Sequence, residues 1–142
     1  MMHDIGKIFI PDKILEKKNS LTPEEYSIIK THVTRGAELI QKCPGDVMSL
    51  AKIMIKEHHE RWDGDGYLGL KGSQIHTISR LISIADVFDA LISKRSYKEG
   101  LPAKKVYKII VSESGHQFDP RVVEIFKKNF NELVEIHNSY KD

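Results

Sequence analysis

The amino-acid sequence predicts an all-α fold, a compact helical bundle, from two observations. Apolar residues recur at spacings of three and four along most of the chain, which is the helical period. No stretch alternates apolar and polar residues over the length of a strand. The chain has 142 residues, a length that suits one domain with one core. We therefore expect residues 1–142 to form a single helical domain.

The helices can be placed in order from their start and stop signals. Thr22-Pro23-Glu24-Glu25 is a capping box with proline at the first helical position, so a helix begins at Pro23 and runs to about residue 41. Three glycines in segment 63–69 exclude regular structure there, which predicts a loop. The other helices are expected at about 46–59, 78–93, 102–114, 120–129 and 131–140.

Composition excludes several classes of protein. A net charge of +2 is too small to indicate nucleic acid as a partner. No apolar run reaches the ~18 residues of a membrane span, and no signal peptide is visible, so a cytoplasmic location is expected, as a whole protein or as the cytoplasmic domain of an anchored one. Cys43, the single cysteine, cannot form an intramolecular disulfide. A metal site in this chain would therefore use histidine and carboxylate ligands.

Six residues of metal-ligating type stand out by their placement. Histidine and aspartate supply the N and O donors that suit Fe, Mn, Zn and related ions. Taken singly, each also fits an ordinary role: a chain end, a satisfied core histidine or the solvated edge of a helix. A carboxylate inside the apolar run 81–88 is costly to bury unless a cation or a strong donor pairs with it. The six residues are His3, Asp4, His32, His58, His59 and Asp86.

These residues occur in an ordered set of short motifs that covers nearly the whole chain. The motifs are His3-Asp4-Ile5-Gly6-Lys7, Ile10-Pro11-Asp12, His32 with Gly36, His58-His59-Glu60, Asp63-Gly64-Asp65-Gly66-Tyr67, residues 84–91 around Asp86, Arg95-Ser96-Tyr97-Lys98 and Phe118-Asp119-Pro120. A lone His-Asp pair would carry little weight, whereas this order and spacing are specific. The set resembles the HD superfamily of metal-dependent phosphohydrolases, and specifically its HD-GYP branch.

The resemblance implies a phosphodiesterase that cuts cyclic di-GMP to linear pGpG and, in some members, on to GMP. It implies that the six residues are metal ligands, with Asp4 bridging two ions. Asp4 and Lys7 would be the catalytic residues. The dinucleotide would be contacted by Lys7, Gly66, Tyr67, Arg95 and Lys98.

Elementary chemistry agrees with that reading of the site. Two cations that share one carboxylate can neutralise a phosphodiester and hold a metal-bound hydroxide in line for attack. Lys7 would add positive charge where negative charge builds in the transition state. The expected cofactors are two divalent transition-metal ions, with Fe or Mn preferred and Zn, Ni or Co suited to the same donors. A third ion is also compatible with the family pattern.

The chain departs from the family pattern in two places. Leu68 and Ser96 stand where the family has prolines, and without the fixed φ of proline the loop at Leu68 is expected to be looser. Only Met1 and Met2 precede His3, whereas the family has an earlier helix that supplies a further ligand. We therefore expect a fragment of a longer protein, with exposed apolar surface that favours a homo-oligomer.

The resemblance also predicts partners, and it leaves alternatives open. Cyclic di-GMP is the expected ligand, and an N-terminal sensor or receiver domain is expected in the parent protein. The Gly66-Tyr67 loop is a candidate contact for a diguanylate-cyclase (GGDEF) domain. The alternatives are an HD phosphohydrolase acting on another nucleotide or cyclic dinucleotide, and a non-catalytic binding or signalling module in this form.

Overall fold

The computed structural model describes residues 2–94 and 100–140, and the regular structure within these ranges is helical. They contain no strand, only an isolated bridge between Ser114 and Phe118. The all-α prediction is confirmed. In chain order the elements are a 3-10 helix at Met2–Phe9, α1 at Asp12–Leu15, α2 at Pro23–Leu39, α3 at Asp46–Glu57, a 3-10 helix at Gly72–Gln74, α4 at Thr77–Ile92, α5 at Ala103–Ser112 and α6 at Pro120–Ser139.

The chain divides into two compact units, Met1–His59 and Glu60–Asp142. The expectation that residues 1–142 form one domain stays a prediction. Among residues 2–94 and 100–140, no helix combines the length and the apolar character needed to cross a bilayer.

The first unit is built on α2 and α3. The predicted capping box is present: Thr22 Oγ1 accepts from the Glu25 N–H at 3.2 Å, and Glu25 Oε2 accepts from the Thr22 N–H at 2.8 Å. These two bonds satisfy backbone donors that the first turn of α2 would otherwise leave open. The buried residues that pack the two helices together are Ala37, Ile40, Ala51 and Ile55, with Ile5 of the 3-10 helix and Met48 against them.

The second unit packs α4, α5 and α6 around an aromatic and aliphatic core. Its fully buried residues include Val106, Ile110, Phe118 and Val123. Phe88 on α4 meets Phe126 on α6 edge to face, with ring centroids 6.0 Å apart. Burial of this set is the main source of stability for the unit.

Helix α6 corrects one prediction. The sequence was expected to form two helices, at 120–129 and 131–140, but Pro120–Ser139 is one continuous helix. Asn129 does not interrupt it, because its side-chain amide donates to the carbonyl of Ile125 one turn earlier at 2.8 Å. Pro120 stands at the first position, where proline is tolerated, and no proline or glycine lies in residues 121–139 to break the helix.

A buried ion cluster fixes the start of α6, and we call it the Asp119 cluster: Asp119, Arg80, Arg121 and Trp62. The Asp119 side chain is 1% exposed, and its Oδ2 accepts from Arg80 Nη1 at 2.6 Å and from Arg121 Nη2 at 3.0 Å. Its Oδ1 caps the helix by accepting from the Arg121 N–H at 2.9 Å. Both guanidinium carbons lie 5.8 Å from the Trp62 ring centroid. Every polar atom of this carboxylate therefore has a donor.

Candidate metal centre

The 3-10 helix Met2–Phe9 lies directly against α2, and this contact places His3 and Asp4 beside His32. Gly6 makes the contact possible, because a Cβ at that position would lie 1.9 Å from the carbonyl oxygen of His32. Only glycine permits so close an approach of two backbones. The unit thereby brings residues from the 3-10 helix, α2 and the end of α3 to one place.

Four ligand-type side chains meet there, and we call them the Asp4 cluster: Asp4, His32, His58 and His59. One N or O atom from each lies within 4.8 Å of the others. His32 Nε2 lies 3.6 Å from Asp4 Oδ1, His58 Nε2 lies 3.7 Å from the same oxygen, and the two nitrogens are 3.5 Å apart. These three atoms form a nearly equilateral triangle.

The backbone fixes the orientation of two of the imidazoles. His32 Nδ1 lies 2.7 Å from the carbonyl oxygen of Ile29, and His58 Nδ1 lies 2.9 Å from that of Ile55. A carbonyl oxygen can only accept, so each Nδ1 carries the proton and each neutral ring presents a lone pair at Nε2. Holding a histidine by its far nitrogen is the usual arrangement at protein metal sites.

Burial favours the neutral form of His32 and of His59. It lowers the pKa of His32 below its ordinary value, because a charged imidazolium would lose its hydration there. Burial also lowers the pKa of His59, to about 3, and the neighbouring rings of His58 and His32 add to the effect. Neutral histidine is the form that binds a metal ion, so the site is ready to accept one near pH 7.

The two oxygens of Asp4 have different surroundings. Oδ2 accepts from Lys7 Nζ at 2.7 Å and lies 3.6 Å from His3 Nε2. Oδ1 is buried and has no hydrogen-bond partner within residues 2–94 and 100–140. Burial acts to raise the pKa of Asp4, but Lys7, through its hydrogen bond and its positive charge, and His3 hold it well below its usual range. A negatively charged oxygen therefore faces imidazole lone pairs.

This arrangement fits a divalent cation. Three electron-rich atoms face one another, and a buried anionic oxygen without a donor is costly unless a cation is supplied. A point equidistant from the three atoms lies about 2.1 Å from each, the length of a bond from zinc to histidine nitrogen or carboxylate oxygen. The N and O donor set suits first-row transition ions.

Comparison with known proteins also indicates a metal-dependent domain. A family model described as HD domain matches residues 1–122. The chain belongs to the HD domain family. HD domains are metal-dependent, and in this one the Asp4 cluster is a group that could bind the metal.

Relatives with assigned activities align with this HD domain along nearly all of its length. A cyclic di-GMP phosphodiesterase of Thermotoga maritima is 42% identical over 142 residues, 99% of this chain and 39% of the relative. The 3'3'-cGAMP-specific phosphodiesterase 2 of Vibrio cholerae is 38% identical over 142 residues, 99% of this chain and 27% of the relative. The cyclic di-GMP phosphodiesterase response regulator RpfG of Xanthomonas campestris is 38% identical over 136 residues, 95% of this chain and 36% of the relative.

These matches confirm the resemblance to the HD-GYP branch. The chain spans about two fifths or less of the length of these relatives.

Of the predicted metal ligands, Asp4, His32, His58 and His59 form the Asp4 cluster. His3 lies next to the Asp4 cluster, with its ring centroid 4.8 Å from that of His58. Asp86 lies on α4 in the second unit, and its role as a ligand stays a prediction. Arg95 and Lys98 lie outside the described residues.

Gly66 and Tyr67 lie in the predicted loop, where the structure also identifies a residue to which the sequence assigned no role. Glu60 is 4% exposed, and its carboxylate accepts from the backbone N–H groups of Leu68 and Leu70. The looser loop expected from the absence of proline at Leu68 stays a prediction, and the structure shows that the N–H that proline lacks makes one of these bonds. An acidic residue next to a glycine-rich segment whose backbone donors need acceptors is the signal that could have identified Glu60.

Proposed function

We propose that this HD domain is the catalytic part of a metal-dependent phosphodiesterase that hydrolyses cyclic di-GMP to pGpG, and further to GMP. The observation that carries the proposal is the Asp4 cluster, in which a buried carboxylate oxygen with no hydrogen-bond partner in the described part of the chain lies beside three imidazole rings. The names of the relatives supply the substrate class, because three of them from different organisms are cyclic di-GMP phosphodiesterases.

The proposed ligands are the six residues of the sequence analysis. Asp4 with His32, His58 and His59 would hold one divalent ion, and Asp4 and His3 would contribute to a second. Asp86 is proposed as a ligand from the resemblance alone. Fe or Mn is proposed for both positions, and Zn, Ni and Co suit the same donors. A divalent ion held there supplies Lewis acidity and lowers the pKa of water toward neutrality.

The residues of the chain itself have definite tasks in the proposed reaction. The Nδ1 atoms of His32 and His58 donate to the carbonyl oxygens of Ile29 and Ile55, so each ring is held with its Nε2 toward the proposed metal site. Lys7, whose ammonium group lies 2.7 Å from Asp4 Oδ2, is 42% exposed in its side chain and can reach a phosphate oxygen at the edge of the site. There it would stabilise the charge that builds as the phosphodiester is attacked.

Substrate contacts are proposed from the resemblance at Lys7, Gly66, Tyr67, Arg95 and Lys98. A sensor or receiver domain and a GGDEF domain remain proposed partners on the same ground. Lysine and arginine suit the task because the cyclic dinucleotide carries two phosphodiesters, and a guanidinium can pair with phosphate or with a guanine edge in bidentate fashion.

A second substrate is favoured by a specific observation. Relatives that cover nearly all of this chain, at 38% and 36% identity, are 3'3'-cGAMP-specific phosphodiesterases. Cyclic GMP–AMP shares both phosphodiesters with cyclic di-GMP and differs in one base, so the proposed metal chemistry suits either bond and the base contacts would set the preference.

The test is a turnover assay on purified protein loaded with Mn²⁺ or Fe²⁺. Cyclic di-GMP, 3'3'-cGAMP, cyclic di-AMP and a mononucleotide 2',3'-cyclic phosphate are compared at equal concentration. We expect pGpG from cyclic di-GMP, dependent on the metal and abolished by a chelator. Metal-free protein that binds cyclic di-GMP tightly without turnover would support the non-catalytic alternative instead.

A further inference from the structure

We propose that Glu60 is a positioning residue that holds the loop carrying Gly66 and Tyr67 in one conformation for the dinucleotide. The inference rests on the proposed function, which assigns this loop to the substrate. It assigns a role to a side chain that is neither a predicted ligand nor a predicted substrate contact.

The carboxylate of Glu60 accepts hydrogen bonds from two backbone N–H groups of the loop, both after Tyr67 in the chain. Oε1 accepts from the Leu68 N–H and Oε2 accepts from the Leu70 N–H, each at 2.7 Å. Glu60 is 4% exposed, so these charge-assisted bonds are formed away from most of the solvent. One side chain thereby satisfies two backbone donors that the loop cannot satisfy by regular structure.

Gly66 brings the loop close enough for this contact. A Cβ at Gly66 would lie 2.6 Å from the Cα of Glu60 and 2.8 Å from the backbone nitrogen of Arg61. The backbone of the loop therefore lies directly on the backbone of Glu60 at this point. Tyr67 lies between Gly66 and Leu68, so both of its chain neighbours are fixed by contacts with Glu60.

The base of the same loop is anchored independently of Glu60. The Trp62 N–H donates to the carbonyl of Gln117 at 3.1 Å, and the Asp63 N–H donates to that of His116 at 2.9 Å. Asp63 also accepts both guanidinium bonds of Arg61, at 3.1 and 2.8 Å. Loss of the Glu60 bonds should therefore release residues 66–70 without unfolding the segment that carries them.

Leu68 contributes its backbone and not its side chain. The Leu68 residue is 44% exposed, whereas its N–H points at a buried carboxylate. Proline at this position would fix φ but would remove the donor, leaving Glu60 Oε1 without this bond. This chain therefore orders its loop with a hydrogen bond at the position where the family pattern uses a ring constraint.

The test uses three variants of the full chain. Glu60→Gln keeps the volume but sets an amide N–H₂ against one of the two backbone donors. Leu68→Pro removes the donor, and Leu68→Ala is the matched control because it keeps the N–H and removes only the exposed side chain. Each is assayed for metal content, for cyclic di-GMP affinity and turnover, and for hydrolysis of bis(4-nitrophenyl) phosphate, a phosphodiester without bases.

We expect Glu60→Gln and Leu68→Pro to raise KM and Kd for cyclic di-GMP about tenfold, the scale of one lost hydrogen bond to a charged group. Their metal content and their kcat on bis(4-nitrophenyl) phosphate should stay near those of the unaltered chain, and Leu68→Ala should behave like the unaltered chain on both substrates. Amide hydrogen exchange at Leu70 should accelerate in Glu60→Gln. The double variant Glu60→Gln/Leu68→Pro, made in addition to the three single variants, should lose less affinity for cyclic di-GMP than the product of the two single losses. Both changes remove the same hydrogen bond.

Several outcomes would overturn the inference. Unchanged KM for cyclic di-GMP in Glu60→Gln would do so, and so would equal losses in Leu68→Ala and Leu68→Pro. Lower metal content in Glu60→Gln would show that Glu60 acts through its neighbour His59 and not through the loop. Failure of the proposed function has a different signature: the unaltered chain then neither binds nor hydrolyses cyclic di-GMP, and the positioning role is lost with it.

Discussion

The Asp4 cluster and the Asp119 cluster each hold a carboxylate with a buried oxygen, but the negative charges of the two carboxylates are balanced differently. Asp119 receives two guanidinium groups and a backbone N–H, so its charge is balanced within the chain. Asp4 Oδ1 receives no hydrogen bond within residues 2–94 and 100–140 and faces the Nε2 atoms of two histidines. A cluster whose charge is balanced within the chain stabilises the fold, whereas a cluster with an unbalanced charge is typical of a ligand-binding site.

This difference predicts that matching substitutions in the two clusters have separate consequences. A change at Asp4 should alter binding of a metal ion. A change at Asp119 should alter the free energy of unfolding. The four predictions below test this separation, beginning with the largest expected effect.

Asp4→Asn should weaken divalent-metal binding by at least about 100-fold and abolish turnover, because the substitution removes the negative charge from the cation site. Calorimetric titration with Mn²⁺ or Zn²⁺ measures the affinity. Asp119→Asn is the matched control and should bind metal like the unaltered chain. Equal metal affinity in both variants would contradict the separation of roles.

Gly6→Ala should disrupt the Asp4 cluster without changing a ligand. The new methyl group would lie 1.9 Å from the His32 carbonyl oxygen, so the 3-10 helix must move away from α2. We expect about 1–3 kcal/mol of destabilisation, the range for overpacking, together with weaker metal binding. Thermal unfolding and metal titration measure the two effects.

Gly45→Ala is the control for Gly6→Ala. Gly45 has φ of 106°, and a Cβ there meets no atom within 4 Å, so the change strains the backbone far from any packing contact. It should cost about 1 kcal/mol of stability and leave metal affinity unchanged. If Gly6→Ala proves no more damaging to metal binding than Gly45→Ala, the close approach is not what forms the site.

Asp119→Asn should reduce the free energy of unfolding by about 3 kcal/mol, because it leaves the largely buried guanidinium of Arg80 without its counter-charge. Arg121→Ala should have a smaller effect, since that side chain is 71% exposed. Urea denaturation of the two variants gives the comparison. A larger loss in Arg121→Ala than in Asp119→Asn would show that the exposed pair of Arg121 with Asp119, and not the buried pair with Arg80, stabilises α6.

Lowering the pH should selectively remove the contribution of Asp119 to the free energy of unfolding. Burial acts to raise its pKa, but Arg121 and Arg80 hold the pKa below the ordinary value. The unfolded chain therefore takes up this proton at a higher pH than the folded chain, and stability from the group is complete above about pH 5 and falls as the pH drops through the folded pKa. The stability difference between the unaltered chain and Asp119→Asn should shrink from about pH 6 to pH 3. A constant difference would contradict the assignment.

The sequence was sufficient to predict α2 to α5 to within a few residues at each end, but not the 3-10 helices or the short α1. It also predicted the residue types of the candidate site. Pro23 and the capping box located the start of α2, and the pair His58–His59 marked the end of α3 as a candidate site. The continuity of α6 could not be predicted, because the back-bond from Asn129 to Ile125 exists only once the helix has formed.

The different environments of the two Asp4 oxygens were also beyond sequence reasoning. They depend on the tertiary contact at Gly6 and on the distance between His32 and His58, which are 26 residues apart in the chain. Likewise, the hydrogen bond that the Leu68 N–H makes could not be predicted from the sequence, because its acceptor, Glu60, lies eight residues away. In both cases the chemistry depends on contacts between residues distant in sequence.

The most direct test of the account is X-ray absorption spectroscopy on the chain loaded with one equivalent of Zn²⁺ or Mn²⁺. The Asp4 cluster predicts N and O neighbours at about 2.1 Å, with the outer-shell scattering that imidazole rings produce. Asp4→Asn should lose this signal, while Asp119→Asn should keep it. A bound ion without imidazole scattering, or a chain that binds no ion, would contradict the claim that these residues form a metal centre.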